Sequence, residues 1–533
     1  MNETVLRIVA CLVTTCMFCL STIKLVGALQ QGGYKGGNFA AWLRRKDNLQ
    51  FNRLSVFALC LALTSGITSL CFSFTSVRGA QLISAVPFLL LCLAFYWADG
   101  KYSLKVPVKR TGRFYRLFTA YFFVTACVSY FFIALLGFLA KWNGSTIYGL
   151  VAYVPYAVMP VLLPALLRFA NATEGVYEKA RNAKFVKRAG QTLEDSKIIR
   201  VGIVGSYGKT GVKNVLATLL SEKYKVIATP ESYNTPMGIA KTVCSAEFAG
   251  KEIFIAEMGA RKAGDIVELC NLVKPDYVIF TGICNQHIHT FGDIDGVWSE
   301  KKQALLSGAK VAVCGDSLKE KIAGESFENI SISYAETQET EAVFGCEKTS
   351  FSLRLGEETV AVETCLLGKA AVENITLAAK LAFTLGLTAE EIEKGLKKIQ
   401  PTPHRLQLLQ SNGVYILDDS YNCNPVGAAE AIAALGRFSG RKCIVTPGIV
   451  ECGILEEEIN GVLGEQIAKA NFDKTILVGE TLVGCVKNGY KAAGGNEDAL
   501  VCVKTLAQAQ AWLGQWVQAG DAVLFLNDLP DVY

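Results

Sequence analysis

Val201-Gly202-Ile203-Val204-Gly205-Ser206-Tyr207-Gly208-Lys209-Thr210 is the stretch around which this 533-residue chain is arranged. The apolar run Ile198 to Val204 predicts a buried strand, broken at Gly205 and Gly208. A helical pattern follows through Val212, Val215, Leu216 and Leu219. Strand, glycine turn and helix make a phosphate cradle. Gly205, Ser206, Tyr207 and Gly208 let backbone N–H groups approach an anion, and the helix start adds its positive dipole end. Lys209 would neutralise phosphate charge, and Thr210 would offer a hydroxyl to Mg²⁺. The general phosphate-loop pattern wants a glycine where Ile203 stands, so this is a tighter form. A plain strand–turn–helix is the competing reading.

Size and composition divide the chain. Its length suits roughly three or four domains. Hydrophobic residues make up 51%, and the excess lies before residue 170. Five stretches there are long and apolar enough to predict membrane helices: Val5–Val26, Leu54–Phe74, Ala80–Ala98, Leu117–Ala140 and Ile147–Phe169. The first lacks the basic start and small-residue cleavage site of a signal peptide and is kept as an anchor. The intervening loops alternate in charge. The first carries Lys24, Lys35, Arg44, Arg45, Lys46 and Arg53; the second only Arg78. The third carries Lys101, Lys105, Lys109, Arg110, Arg113 and Arg116; the fourth only Lys141. Basic loops face the cytoplasm, so a five-span region 1–170 puts the N-terminus outside and all later residues in the cytoplasm. The region is either a plain anchor or a docking surface for a lipid-linked substrate or membrane-bound partner. Basic residues beside apolar segments argue for membrane topology, not nucleic-acid binding. Of the 18 cysteines, seven lie in the apolar stretches and the rest are scattered, which predicts reduced thiols.

Residues 171–196 predict a juxtamembrane helix, and from Lys197 short strands alternate with helices. Val226–Thr229, Glu252–Glu257, Tyr277–Thr281 and Lys310–Cys314 read as buried strands of a doubly wound sheet in a domain spanning 197–400. Polar loops close several of them: Ser232–Gly238 with Asn234 and Thr235, Ile255–Gly259 with Glu257, and Thr281–His289 with His287 and His289. A carboxylate, an imidazole and Thr210 at neighbouring strand ends would meet around phosphate-bound Mg²⁺. Singly, each has a blander reading: a surface carboxylate, a structural histidine. Pro401 and Pro403 mark a hinge into a second Rossmann-like domain, 401–533, with strands at Val414–Leu417, Cys443–Thr446, Thr475–Val478 and Ala522–Leu526. The expected fold class is therefore a helical membrane region followed by two α/β domains.

Taken together, G-S-Y-G-K-T (205–210), Y-N-T-P-M-G (233–238), A-E-M-G-A (256–260), Q-H-I-H-T-F-G-D-I-D-G-V-W-S-E-K (286–301), H-R-L (404–406) and D-D-S-Y-N-C-N-P (418–425) resemble the Mur ligase family, in its D-alanyl-D-alanine-adding branch. The resemblance runs from Lys197 to near Asp521 and does not cover 1–196. It implies ATP-dependent, ADP-forming amide synthesis on a cell-wall precursor, joining an amino acid or dipeptide to a carboxylate. It further implies that Lys209 holds the β- and γ-phosphates and that Thr210, Glu257 and His287 serve two Mg²⁺ ions. Lys301, ten residues after Phe291, matches a lysine that is often carbamylated and then becomes a metal ligand; Lys302 is the alternative. Asn374, Arg405 and Asp419 would contact ATP, and Asn234, Thr235 and Asn424 the substrate. The chain departs from the pattern at Gly211-Val212, at Gly282, and at Ala370-Ala371 in the adenine segment, where only Asn374 matches. Its tail, 527–533, lacks the basic motif near the incoming amine. A polymer-extending ligase and a non-catalytic nucleotide-binding membrane scaffold remain as alternatives.

Overall fold

The computed structural model describes residues 3–44, 50–73, 90–98, 108–143, 147–285, 288–337, 341–421, 423–450 and 452–527. They fall into two units, 1–181 and 182–529.

The first unit is helical, as its apolar runs dictate. Helices Glu3–Ser21 and Ile23–Gln31 meet at a bend, followed by Gly36–Arg44, Gln50–Ser73, Gly112–Asn143 and the start of Ile147–Asp195. Among the described residues one helix, Gly112–Ala134, is long and apolar enough to cross a membrane, or two if the bent pair Cys11–Gln31 is one span. The expectation of five spans is thus carried to one or two. The third expected stretch is described only over 90–98. A second difference concerns the juxtamembrane segment: residues 147–195 form one helix of 49 residues, so no separate helix starts near 171. The reason is local. Residues 171–195 hold no proline and no run of glycines, and charged residues on its faces suit a helix in water as well as apolar ones suit the earlier part. Glu174 joins the two long helices, accepting from Arg113 and Arg116 at 3.3 Å each, while Glu178 takes Arg116 and Arg181.

In the second unit the five expected strands appear, with a sixth, β6, that the apolar runs did not mark. β1 (Ile199–Val204), β2 (Val226–Ala228), β3 (Ile253–Glu257), β4 (Tyr277–Phe280), β5 (Val311–Cys314) and β6 (Ser331–Tyr334) form an all-parallel sheet in the order β2-β3-β1-β4-β5-β6. Such strands are buried on both faces, which explains their continuous apolar runs. The chain reverses direction of winding at β1, with β3 on one side and β4 on the other; ligands of doubly wound sheets bind at the strand ends of this switch point. Helix Lys209–Leu220 packs on helices Lys369–Thr384 and Ala389–Leu396 through Val212, Val215, Leu216 and Leu219, all within one core. A small antiparallel sheet, β7 (Val343–Phe344), β8 (Thr349–Leu355) and β9 (Glu358–Thr364), covers its far side. The last sheet runs β10-β11-β15-β12-β13-β14, from Gln407–Ser411, Val414–Asp419, Ala522–Leu526, Lys442–Thr446, Lys474–Val478 and Leu500–Val503 respectively. Only the β10–β11 pair is antiparallel.

One buried contact aims the helix Ile294–Lys301. Gly264, before helix Asp265–Val273, has no side chain to cap it. Glu300 does so from a distance, accepting the N–H groups of Gly264 at 2.8 Å and Ile266 at 2.7 Å. Trp298 stacks on Phe280 at 5.8 Å, fixing the same helix against β4. Lys301 is therefore placed by its two neighbours. Glu300→Ala leaves the buried Ile266 N–H and the more exposed Gly264 N–H without this acceptor, and a loss of about 1–3 kcal/mol in unfolding free energy is expected by urea titration of the full chain.

Candidate functional site

The turn after β1 is shaped by two glycines. Gly205 (φ 152°) and Gly208 (φ 74°) both lie where a side chain strains the backbone. A β-carbon on Gly205 would also fall 2.0 Å from Thr281 Oγ1, and one on Gly208 2.7 Å from Asn374 Oδ1. Ser206 N–H donates to Gly282 O at 2.7 Å, tying the turn to the end of β4. Thr281 Oγ1 donates to Tyr207 O from that same strand end. The turn is thus fixed from two sides, and helix Lys209–Leu220 starts at Gly208 with its free N–H groups toward the strand ends.

Two lysines converge on one carbonyl. Lys209 Nζ donates to Gly205 O at 2.7 Å, and Lys301 Nζ donates to the same oxygen at 3.0 Å. Lys301 is only 3% exposed. Burial, then the neighbouring Lys209 charge, brings its ammonium down to about 7. Burial also lowers Lys209, with Glu257 opposing and Arg405 adding to the shift. That last effect places Arg405, from the C-terminal domain, within electrostatic reach of the turn.

Glu257, 1% exposed, forms the other side of the site at the end of β3. Its Oε2 accepts from Thr210 Oγ1 at 3.0 Å and from Lys213 Nζ at 3.1 Å; its Oε1 accepts from Asn234 Nδ2 at 3.3 Å. A hydroxyl and a carboxylate side by side suit a hard cation that keeps waters and phosphate oxygens as its other ligands. Thr210 and Glu257 thus fit Mg²⁺, although among the described residues no group of three His, Cys, Asp or Glu is set to hold a metal.

The remaining candidates divide. His287 lies outside the described residues. Lys302, the alternative to Lys301, turns to Glu325 at 2.8 Å and has no part in the cluster. Asn374 packs over Gly208 and Gly211. Thr235 and Asn424 cap helices, accepting from Gly238 N at 3.3 Å and Gly427 N at 3.0 Å, so their side-chain oxygens already have local work. Arg405 stacks on Tyr421 at 4.5 Å, between His404 (φ 61°) and Leu406 (φ 47°), two non-glycine residues in left-handed backbone. His404 Nδ1 meets Asp418 Oδ2 at 2.7 Å. Asp419 accepts Leu406 N–H at 2.9 Å, and burial raises its carboxyl to about 7. Tyr421 OH meets Ser232 Oγ at 2.7 Å, and Asn214 Nδ2 donates to Thr402 Oγ1 at 2.9 Å, so the domains touch on both sides of Arg405.

Three participants were not anticipated from sequence. Lys213 is 1% exposed and donates to Glu257, and its signal was its place one turn after Lys209 on the same helix. Tyr421 lies inside a motif whose aspartates and Asn424 drew the attention. Glu373 sits against Gly315 and Tyr207, and burial, then Asp316, raises it to about 7.

The Glu373 shift carries a pH consequence. Above its ordinary 4.5 the unfolded chain releases this proton, while the folded chain keeps it to about 7. The folded state binds more protons in that window, so stability falls as pH rises through it. Glu373→Gln cannot ionise; its thermal midpoint is expected to fall less than that of the parent between about pH 5 and about pH 8 in parallel melts.

Comparison with known proteins adds the family. Residues 203–382 match the Mur ligase middle domain and 404–527 the Mur ligase glutamate ligase domain. Among similar proteins, the UDP-N-acetylmuramoyl-tripeptide–D-alanyl-D-alanine ligase of Borreliella burgdorferi is 28% identical over 297 residues, 54% of this chain and 64% of its own. The same-named ligase of Bacillus subtilis is 28% identical over 295 residues, 52% of this chain and 62% of its own. The chain thus spans under two thirds of the length of these relatives. The MurF ligase of Thermotoga maritima, solved in complex with ADP, superposes with a TM-score of 0.59 at 24% identity, covering 66% of this chain and 81% of its own. MurF of Acinetobacter baumannii gives 0.60 at 22% identity, covering 66% and 78%. Through its middle and C-terminal domains, the chain belongs to the Mur ligase family.

Proposed function

We propose that this protein is an ATP-dependent, ADP-forming ligase that joins an amine, an amino acid or a D-alanyl-D-alanine-type dipeptide, to a carboxylate of a cell-wall precursor. The observation that carries this reading is the convergence of Lys209, Lys301 and the Thr210–Glu257 pair at the switch point of a sheet matching the Mur ligase middle domain. The relatives named for D-alanyl-D-alanine addition support the choice of amine.

In this reading a substrate carboxylate oxygen attacks the γ-phosphorus of ATP and ADP leaves. The acyl phosphate then takes the amine, and phosphate departs as the amide forms. Catalysis of phosphoryl transfer is mainly positioning and charge neutralisation. Lys209 and the N-terminus of its helix meet the phosphates, and Arg405 reaches them from the second domain. Asn374 packs against the turn that carries them, and Asp419 fixes the loop bearing Arg405. Asn234 holds Glu257 in place and faces the substrate side. Contacts such as Ser232–Tyr421 hold the domains together, and a closed cleft keeps water from the acyl phosphate. Bound Mg²⁺, held by Thr210 and Glu257, would supply Lewis-acid neutralisation of the phosphates. Lys301, titrating at about 7, has a large neutral-amine fraction, the form that takes up CO₂ as a carbamate. The helical region, with one or two helices long and apolar enough to cross a membrane among the described residues, would place these domains at its cytoplasmic face. A lipid-linked acceptor follows naturally from that placement, with a UDP-linked acceptor as its competitor.

Purified full-length protein in nanodiscs is expected to release ADP only when a precursor carboxylate and an amine are both supplied. Lys209→Met is expected to lower kcat by about 10²–10³, the scale of losing one preorganised charge partner. Lys301→Gln should do likewise, whereas Lys302→Gln should not. A carbamate carbon should appear by NMR with labelled bicarbonate and vanish in Lys301→Gln. ATP binding without acceptor-dependent ADP release would leave a nucleotide-binding scaffold instead.

A further inference from the structure

Lys213 follows Lys209 by one turn on helix Lys209–Leu220, but its partner is the carboxylate and not the glycine turn. Its Nζ lies 3.1 Å from Glu257 Oε2, an ion pair with both side chains 2% exposed. Thr210 Oγ1 donates to that same oxygen at 3.0 Å. Thr210 and Glu257 are the pair that fits Mg²⁺, so Lys213 occupies an oxygen that the cation needs. The same Nζ has a second partner. It donates to Glu231 O, in a loop where Glu231 takes left-handed backbone (φ 44°). Such backbone is unfavourable for a non-glycine residue and persists where contacts enforce it. The next residue, Ser232, carries the hydroxyl that meets Tyr421 OH of the C-terminal domain at 2.7 Å, and Tyr421 stacks on Arg405. At the far end of the loop Asn234 returns to Glu257 Oε1 at 3.3 Å, and its carbonyl accepts Gly259 N–H at 2.9 Å. One lysine thus bridges Glu257 and the loop against which the Arg405 domain rests.

A buried carboxylate without a counter-charge is strongly unfavourable, and a lysine at its side makes it tolerable before any cation arrives. A dication at the same carboxylate meets a like charge within a few ångströms, so the lysine must yield Oε2. Glu231 O remains as its partner. We propose that Lys213 is a positioning residue that holds the place of the cation at Glu257 and, through Glu231 O, fixes the loop on which the C-terminal domain docks. The inference rests on Thr210 and Glu257 as the cation pair of the proposed ligase. It gives Lys213 two effects of opposite sign: it weakens cation binding, and it supports catalysis. A lysine that only props up the carboxylate has one sign, and its loss would weaken both.

Purified full-length protein in nanodiscs would be titrated with Mn²⁺ alone, free Mn²⁺ being read by electron paramagnetic resonance. Glu257→Gln is expected to remove the tight site. Lys213→Met is expected to bind Mn²⁺ at least about tenfold more tightly than the parent, since the ion no longer meets a like charge close by. Amide hydrogen exchange over residues 230–235, read by mass spectrometry, should quicken in the same variant, and ADP release should slow by about tenfold or more. Lys302→Gln, which removes a lysine paired with Glu325, should leave Mn²⁺ affinity and loop exchange as they are. Lys213→Gln keeps an N–H donor without the positive charge; it serves where the methionine variant does not fold, and it should also bind Mn²⁺ more tightly. Unchanged or weaker Mn²⁺ binding in the folded variant, or a tight site that survives Glu257→Gln, would overturn the proposal. Tighter Mn²⁺ binding with faster loop exchange in a protein that never releases ADP would uphold it and fail the ligase reading instead.

Discussion

A carboxylate shut away from water persists only where neighbouring groups answer its charge, and Glu257 is such a group. Lys213 and Thr210 come to it from the helix after the glycine turn, and Asn234 from the loop before helix Pro236–Val243. Removing one partner of a buried pair leaves the other uncompensated, at a cost of about 3–5 kcal/mol. Glu257 therefore ties β3, the phosphate-loop helix and the Asn234 loop into one rigid piece. Across the turn the charge balance is reversed. Lys209 and Lys301 share Gly205 O, and burial, ahead of the opposing Glu257 and Glu300 charges, pulls both toward neutrality. One side of the site is an anion held by a cation, a hydroxyl and an amide; the other is a pair of cations awaiting negative charge. A polyphosphate with its counter-cation satisfies both sides.

Much of this was legible in the sequence because it depended on short-range rules. Apolar runs of four to six residues gave β1, β3, β4 and β5, and Gly205 and Gly208 marked the turn between β1 and its helix. A carboxylate closing an apolar strand pointed to Glu257, and the motif resemblance to Lys301. The small sheet β7–β9 was not read: its strands alternate buried and exposed residues, as in Thr349–Leu355, and offer no continuous apolar run. β10 and β14 are half-exposed edge strands with the same weakness. Lys213 escaped notice because a lysine beside an apolar stripe usually lies in solvent, and only the tertiary approach of Glu257 makes its burial tolerable. Glu373 escaped because its carboxyl acquires meaning only when Gly315 and Asp316 are folded against it. Thr235 and Asn424 show the reverse: motif position suggested ligand contact, while local geometry uses their oxygens as helix caps.

Arg405 depends on a different kind of support. Its two neighbours both adopt left-handed backbone, a conformation that costs a non-glycine residue about 1–3 kcal/mol and persists where surrounding contacts enforce it. Asp418 holds the His404 ring and Asp419 holds the Leu406 amide, so paired aspartates at the end of β11 grip both sides of the arginine. Tyr421 then stacks on the guanidinium and reaches Ser232 in the other domain. The D-D-S-Y string thus positions the arginine.

The placement of β15 bears on how the protein is made. Residues 522–526 pair with β11 on one flank and β12 on the other, at the centre of their sheet. While a ribosome is still producing residues 447–521, β11 and β12 have no strand between them and two ladders of amides stand open. The C-terminal domain cannot close stepwise behind synthesis; it must wait for Leu526 and then zip shut. Until that moment β11, whose end carries Asp418 and Asp419, is paired on one edge only, through β10.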